Sequence, residues 1–332
     1  MPRLGEGETA LNRPQSQTAL RTLLAGLTPN VRGAIWMLAS ALAFTAMTTL
    51  VKFLGADYSP ALQTFYRQVA GILVLAPIIV RDWRRAFYTT RPFILLFRSA
   101  AGTVAMILNF YAYQKMPLAD ANALSFTRSL WLAPLAFFVL RETLGPLRIG
   151  ATVVGFAGVI LMLTPSGQFH LDLPALAALA SAFLFALTIT GMKVMTRDHS
   201  PFTLLVYAAV LGLVFAIPPA LFSWRWPHPV DLVLLVIMGV LGVVTQACYI
   251  KGMQIGDAAA MAPIDYTRLV FAVAAGALLF HQMPGPRTLI GAAIVVGATL
   301  YITWREHVAA KVEAAALAAA TAEDAQAMAE AG

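Results

Sequence analysis

The chain has 332 residues, of which 59% are hydrophobic and only 12% charged, with a formal net charge of +7 and a mean hydropathy of +0.74. That balance is too apolar for an ordinary soluble globular protein and assigns the chain to the membrane. The basic residues follow the loops between apolar runs and form no single patch, which excludes nucleic acid as a partner.

Residues 1–30 carry charge punctuation but no apolar core of a signal peptide, and are expected to be a cytoplasmic tail. Ten apolar segments follow, at approximately 31–54, 60–80, 92–114, 118–140, 147–164, 174–194, 201–222, 231–254, 258–280 and 287–304. Each is near the roughly 20 residues that a helix needs to cross a bilayer. Hydrocarbon offers free backbone groups no partners, so spans of this length are helical. The predicted class is therefore an all-α membrane protein with ten transmembrane helices. The fifth and tenth are short and Gly-rich. Residues 305–332 are Ala-rich with interspersed Glu, Asp and Lys, which suits a loose helical cytoplasmic tail. Cys248, the one cysteine, lies within a span, so neither a disulfide nor a cysteine-based metal site is available.

With the N-terminus in the cytoplasm, 15 of the 23 basic residues fall on the inner side. Lys52, Lys115, Arg225 and Arg287 fall outside, and Arg67, Arg98, Arg128 and Arg268 lie within spans. Basic residues gather on cytoplasmic loops. The expected arrangement is a multi-pass protein of the inner (plasma) membrane with both termini cytoplasmic.

Shifting the chain by 141 residues aligns Ser40 with Ser181, Phe44 with Phe185, Lys52 with Lys193, Pro60 with Pro201, Tyr66 with Tyr207 and Pro77 with Pro218. At an offset of 137, Gly102 meets Gly239, Asn109 meets Gln246 and Asp120 meets Asp257; at 140, Thr127-Arg128 meets Thr267-Arg268 and Gly145-Pro146 meets Gly285-Pro286. The first copy takes 31–164 and the second 170–304. Five spans per copy is an odd number, so the second enters the membrane inverted. Inverted repeats build alternating-access carriers, in which related halves close alternately around one central site.

The stretch PLADANALSFTRSLWLAPLAFFVLRETLGPLRIGATVVGFAGVILML, Pro117 to Leu163, resembles the EamA family of the drug/metabolite transporter superfamily, and Gly256 to Ile302 resembles a weaker second copy. The resemblance implies a secondary transporter without ATP hydrolysis, whose cavity is lined by the first four spans of each half. It also implies peripheral fifth and tenth spans that can support a homodimer. The glycine-glutamate often found after the fourth span in that family is Arg141-Glu142 here and His281-Gln282 in the second half. Glu142 reads as an interfacial packing residue.

Arg128 is about the tenth residue of its span, roughly 15 Å from the outer end at about 1.5 Å per residue, and Arg268 is about the eleventh of its own. A central arginine costs about 2.5–3.5 kcal/mol to insert. Two at equivalent positions point to guanidinium groups that face a water-accessible cavity and fork around a substrate carboxylate or phosphate; the alternative is a structural ion pair. Asp265, three residues before Arg268, is either that ion-pair partner or a site of proton coupling. Asn109 and Gln246 occupy equivalent mid-span positions, where an amide bonds substrate or bridges helices. Tyr66, Arg67 and Gln63 form a polar patch on the second span, with Arg67 toward the outer vestibule, whereas Arg98 sits where it can snorkel to the inner surface. Trp36, Phe44, Tyr111, Tyr113, Trp131 and Tyr266 are candidate aromatic walls, led by Trp131 and Tyr266, which neighbour the arginines. Pro134 and Pro263 are candidate bends.

His170, His199, His228, His281 and His307 fall in loops or span ends, so no metal, cofactor or intramembrane enzyme is expected. A channel would favour rings of like charge over this asymmetric cluster. The sequence thus reads as a secondary carrier, facilitative or ion- or proton-coupled, of a small organic anion or zwitterion such as an amino acid or amino-acid-derived metabolite. An exporter of drugs or other metabolites is the alternative.

Overall fold

The computed structural model describes residues 28–81, 89, 91–141, 145–164, 172–195 and 201–330. The first 27 residues, Arg84, Arg85, Glu142, His170, Arg197 and His199 lie outside the described residues. Among the described residues every regular element is an α-helix: α1 (Pro29–Leu54), α2 (Pro60–Arg81), α3 (Pro92–Lys115), α4 (Leu118–Ser125), α5 (Thr127–Leu140), α6 (Pro146–Met162), α7 (Leu173–Met195), α8 (Pro201–Phe222), α9 (Pro229–Ile255), α10 (Ala258–Asp265), α11 (Thr267–Phe280) and α12 (Pro286–Glu330). Seven of these begin on proline, which has no N–H to leave unpaired in the first turn and a φ already suited to a helix.

Among the described residues six segments are long and apolar enough to cross a membrane: Pro29–Leu54, Pro92–Lys115, Leu173–Gly191, Pro229–Ile255, Ala260–Phe280 and Pro286–Ala309. Pro146–Met162 and Val206–Phe222 are shorter apolar helices. The Ala-rich end continues α12 to Glu330 without interruption.

The expected fourth and ninth spans are each kinked at one residue. Phe126 separates α4 from α5 and Tyr266 separates α10 from α11, both in right-handed backbone conformation. The hydroxyl of Thr127 donates to Leu124 O at 2.7 Å, and that of Thr267 to Ile264 O at 2.6 Å. Ser129 N bonds to Phe126 O and Leu269 N to Tyr266 O, so the turn tightens to the i→i−3 pattern. Proline does not explain both kinks: Pro263 corresponds to Ala123 in the first copy, and Pro134 lies well beyond Phe126. The kink puts Arg128 and Arg268 in the first turn of α5 and α11.

α1 packs along α9, α3 along α7 and α6 along α12, while α2 lies against α8 and α9. Small residues set these approaches, since in a bilayer packing must come from close backbone contact. At the α6–α12 crossing, a Cβ on Gly158 would sit 2.8 Å from Gly291 O, and one on Gly291 would sit 2.5 Å from Gly158 O. At the α2–α9 crossing, a Cβ on Gly239 would meet Ala70 Cβ at 2.4 Å. α5 and α11 both end on a non-glycine residue in the left-handed region, Arg141 at φ 56° and His281 at φ 53°. The missing glycine noted in the sequence thus falls where the backbone favours one.

Candidate functional site

The kinks bring the two arginines to one carboxylate. Arg268 Nη2 lies 2.8 Å from Asp265 Oδ1, and Arg128 Nη2 lies 3.5 Å from Asp265 Oδ2. Arg128 has no acid within a helical turn of itself, yet it is not left alone: its partner comes from 137 residues away, across the two copies. The contacts are unequal. The Arg268 side chain is 7% exposed and that of Arg128 31%. Arg268 is also held by Ser40 Oγ at 3.4 Å and by the ring faces of Phe44 (4.7 Å) and Tyr249 (5.7 Å), each of which favours the guanidinium where it stands. Its carbonyl accepts from the Asn122 amide at 2.9 Å.

Among the described residues Arg67 has no acid partner; it donates to Gln68 Oε1 at 3.3 Å, and its Nε is buried without a hydrogen bond. It crosses α9 where Gly242 leaves room, since a Cβ there would sit 2.9 Å from Arg67 Nε and 3.3 Å from Met47 Sδ. Gln246, one turn further along α9, shares the helical face of Gly239 and Gly242 but is exposed. Arg67, Gln246 and the Arg268–Asp265–Arg128 cluster thus follow one another along the α1–α9 seam.

The other candidates divide. Asn109 is buried, and its amide has no hydrogen-bond partner among the described residues. Trp131 packs edge-on against Phe156 and Phe183, with its ring nitrogen buried and unpartnered. Tyr266 packs against Phe126, and its hydroxyl bonds Thr299 on α12. Both aromatics are therefore occupied in packing beside the arginines. Tyr66 stacks on Trp224, at the end of the seam beyond Arg67. Arg98 donates to Thr188 O at 3.3 Å. Ser40, Asn122, Gln68, Gly242 and Tyr249 escaped the sequence reading. Of these Gly242 left a signal in the Gly239/Gly242 spacing that marks a close helix approach, and Ser40 in its repeat match with Ser181.

The 55–59 and 223–228 loops are joined by a latch of polar contacts. Tyr58, 2% exposed, donates to Asp231 Oδ2 at 2.7 Å and accepts from His228 N at 3.3 Å. Ser59 and Ser223 hydroxyls are 2.6 Å apart, and Arg225 pairs with Asp57 at 3.0 Å. A pocket of about 170 Å³ is lined by residues that include Lys115, Asp120, Asp172 and Thr288, and an apolar groove of about 530 Å³ lies between α1 and α11; neither lining includes an arginine. No group of three or more potential metal ligands occurs among the described residues.

Residues 31–164 and 173–304 both match the EamA-like transporter family. The chain belongs to that family. It is 30% identical to an S-adenosylmethionine uptake transporter of Rickettsia prowazekii (strain Madrid E), over 87% of this chain and 95% of that protein. It is 29% identical to a riboflavin transporter of Vibrio cholerae, over 82% and 93% respectively, and 29% identical to human solute carrier family 35 member G1, over 81% and 78%. A solved crystal structure of 19% identity shares the fold, with a TM-score of 0.52 over 79% of this chain and 94% of that one. This EamA-like protein is therefore a multi-pass membrane transporter of the drug/metabolite transporter superfamily that handles small metabolites, and not an enzyme.

Proposed function

We propose that this EamA-like protein is an alternating-access carrier of a small organic anion or zwitterion, of the amino-acid-derived type, in the inner membrane. The carrying observation is the convergence of Arg128 and Arg268, from equivalent positions of the two copies, on the single carboxylate of Asp265. With Arg67 the seam holds three cations against one anion, a surplus that a substrate anion would neutralise. The relative named as an S-adenosylmethionine uptake transporter supports the amino-acid-derived part of this reading.

Ten spans in two inverted copies remain part of the proposal. Supporting them are the two separate family matches, the equivalent kinks at Phe126 and Tyr266, the equivalent left-handed ends at Arg141 and His281, and the reciprocal packing of α1 with α9 and α3 with α7. Both termini lie in the cytoplasm on this reading, so the latched face is external and the conformation is closed to the outside. Asp265 links the two arginines and is the residue through which coupling to protons would act.

The test is uptake into liposomes. A carrier gives saturable, counterflow-stimulated uptake of anionic or zwitterionic metabolites, altered by Arg67→Gln, Arg128→Gln or Arg268→Gln. Single-channel conductance, or uptake indifferent to all three substitutions, would refute the proposal. Uptake with and without a pH gradient, repeated in Asp265→Asn, tests coupling.

A further inference from the structure

The three arginines are not equivalent, and their differences assign a polarity to the site. Resting on the carrier reading above, we infer that the substrate is an extended zwitterion: its carboxylate docks on Arg67 and a second, cationic centre docks on Asp265, displacing Arg128.

Among the described residues no acid answers the charge of Arg67. Its Nε is buried and unpartnered, and it donates to the neutral Gln68 amide. The missing side chain of Gly242 lets the guanidinium pack directly on α9, and the neighbouring Tyr66 stacks on Trp224. A carboxylate there gains charge-assisted bonds without breaking an existing ion pair.

At the other end Asp265 is shared, and one of its two partners is loosely held. Arg268 is 2.8 Å away, buried, and braced by Ser40, Phe44 and Tyr249. Arg128 is 3.5 Å away and four times as exposed by side-chain area, 31% against 7%. A cationic group that reaches Asp265 displaces Arg128, because the weaker and more exposed contact costs least to give up.

The spacing follows from the helices. Arg67 lies against Gly242 and Met47, whereas Arg268 lies against Tyr249 and is bonded by Ser40. Both pairs of positions are seven residues apart, on α9 and on α1, which sets the two charge sites about 10 Å apart along the seam at about 1.5 Å per residue. Exposed Gln246 lies between them. A simple monoanion would satisfy one end only.

The experiment uses three ligands on one scaffold with purified full-length protein. S-adenosylmethionine carries a carboxylate, an α-ammonium and a sulfonium; S-adenosylhomocysteine keeps the carboxylate and ammonium and lacks the sulfonium charge; decarboxylated S-adenosylmethionine keeps both cations and lacks the carboxylate. Wild type is expected to bind the first at least about tenfold more tightly than either analogue, the scale of one charged hydrogen-bonded contact. Arg67→Gln should erase the preference for the carboxylate and keep that for the sulfonium, with Arg67→Lys intermediate. Arg128→Gln should strengthen sulfonium binding, because it removes the competitor for Asp265. Asp265→Asn, or Asp265→Glu if the amide fails to fold, should erase or weaken the sulfonium preference alone.

Equal or absent binding of the three ligands by wild type overturns the inference. So does an unchanged carboxylate preference in Arg67→Gln, or weaker sulfonium binding in Arg128→Gln. If another metabolite then shows saturable counterflow that depends on Arg128 or Arg268 but not on Arg67, the carrier proposal stands and the polarity fails.

Discussion

Asp265→Asn is the substitution on which the geometry bears most directly. It keeps the shape of the side chain and removes the only carboxylate that Arg128 and Arg268 are seen to share. Their guanidinium nitrogens lie within roughly 8 Å of each other across it, a like-charge repulsion of about 2 kcal/mol at an effective dielectric of about 20. Orphaning one member of a buried pair costs about 3–5 kcal/mol including such terms. Arg128, at 31% exposure, recovers part of its share from water, so most of the cost falls on Arg268. Asp265→Asn should therefore destabilise the purified protein by about 3 kcal/mol or more. The double variant Asp265→Asn/Arg268→Gln should recover part of that, since it removes one of the two orphaned charges. Thermal melts or SDS titrations of detergent-purified protein, run as a double-mutant cycle, measure both effects. If the single variant falls within about 1 kcal/mol of wild type, or the double is simply additive, the shared-carboxylate picture is wrong.

Further outcomes follow from the backbone and the latch. Arg141→Gly and His281→Gly should each stabilise by about 0.5–1 kcal/mol, because a left-handed L-residue costs about 1–2 kcal/mol and the added glycine entropy returns part of it; a loss of stability in either refutes the strain argument. Gly242→Leu should push Arg67 off α9 and weaken ligand binding at least about tenfold, the scale of one charged contact, whereas Gly71→Ala, with nothing within 4 Å of its added Cβ, should bind as wild type. Tyr58→Phe breaks the buried bond to Asp231 and should shift the population open on the latched face by about fivefold, the equivalent of about 1 kcal/mol. Spin labels at Ala56 and Trp226 in a Cys248→Ala background report the widening. Arg225→Ala should do less, because its pair with Asp57 is more than half exposed, and an Arg225 effect larger than that of Tyr58 would contradict the ranking.

Much of the architecture was legible in the chain because a bilayer imposes simple rules. Apolar length marks a span and proline marks a helix start. The register that aligns Thr127-Arg128 with Thr267-Arg268 also singled out the two residues that the structure brings together. The kinks at Phe126 and Tyr266 were invisible, since a threonine hydroxyl bonding back to its own helix leaves no mark on hydropathy. Trp131 and Tyr266 were favoured for their nearness in sequence to the arginines, and that nearness does not fix where a ring points: one packs on Phe156 and Phe183, the other reaches Thr299.

The partition of charge was decided only by tertiary structure. Sequence spacing offers Asp265 to Arg268 and nothing to Arg128, because it sees neighbours within one helix. Packing of the two copies brings Arg128 to the same carboxylate from 137 residues away, and the glycines of α9 admit Arg67 without bringing an acid to it. Composition put unusual charges in the membrane; which of them are answered by the protein, and which are left for a ligand, depended on helices that meet only in the folded chain.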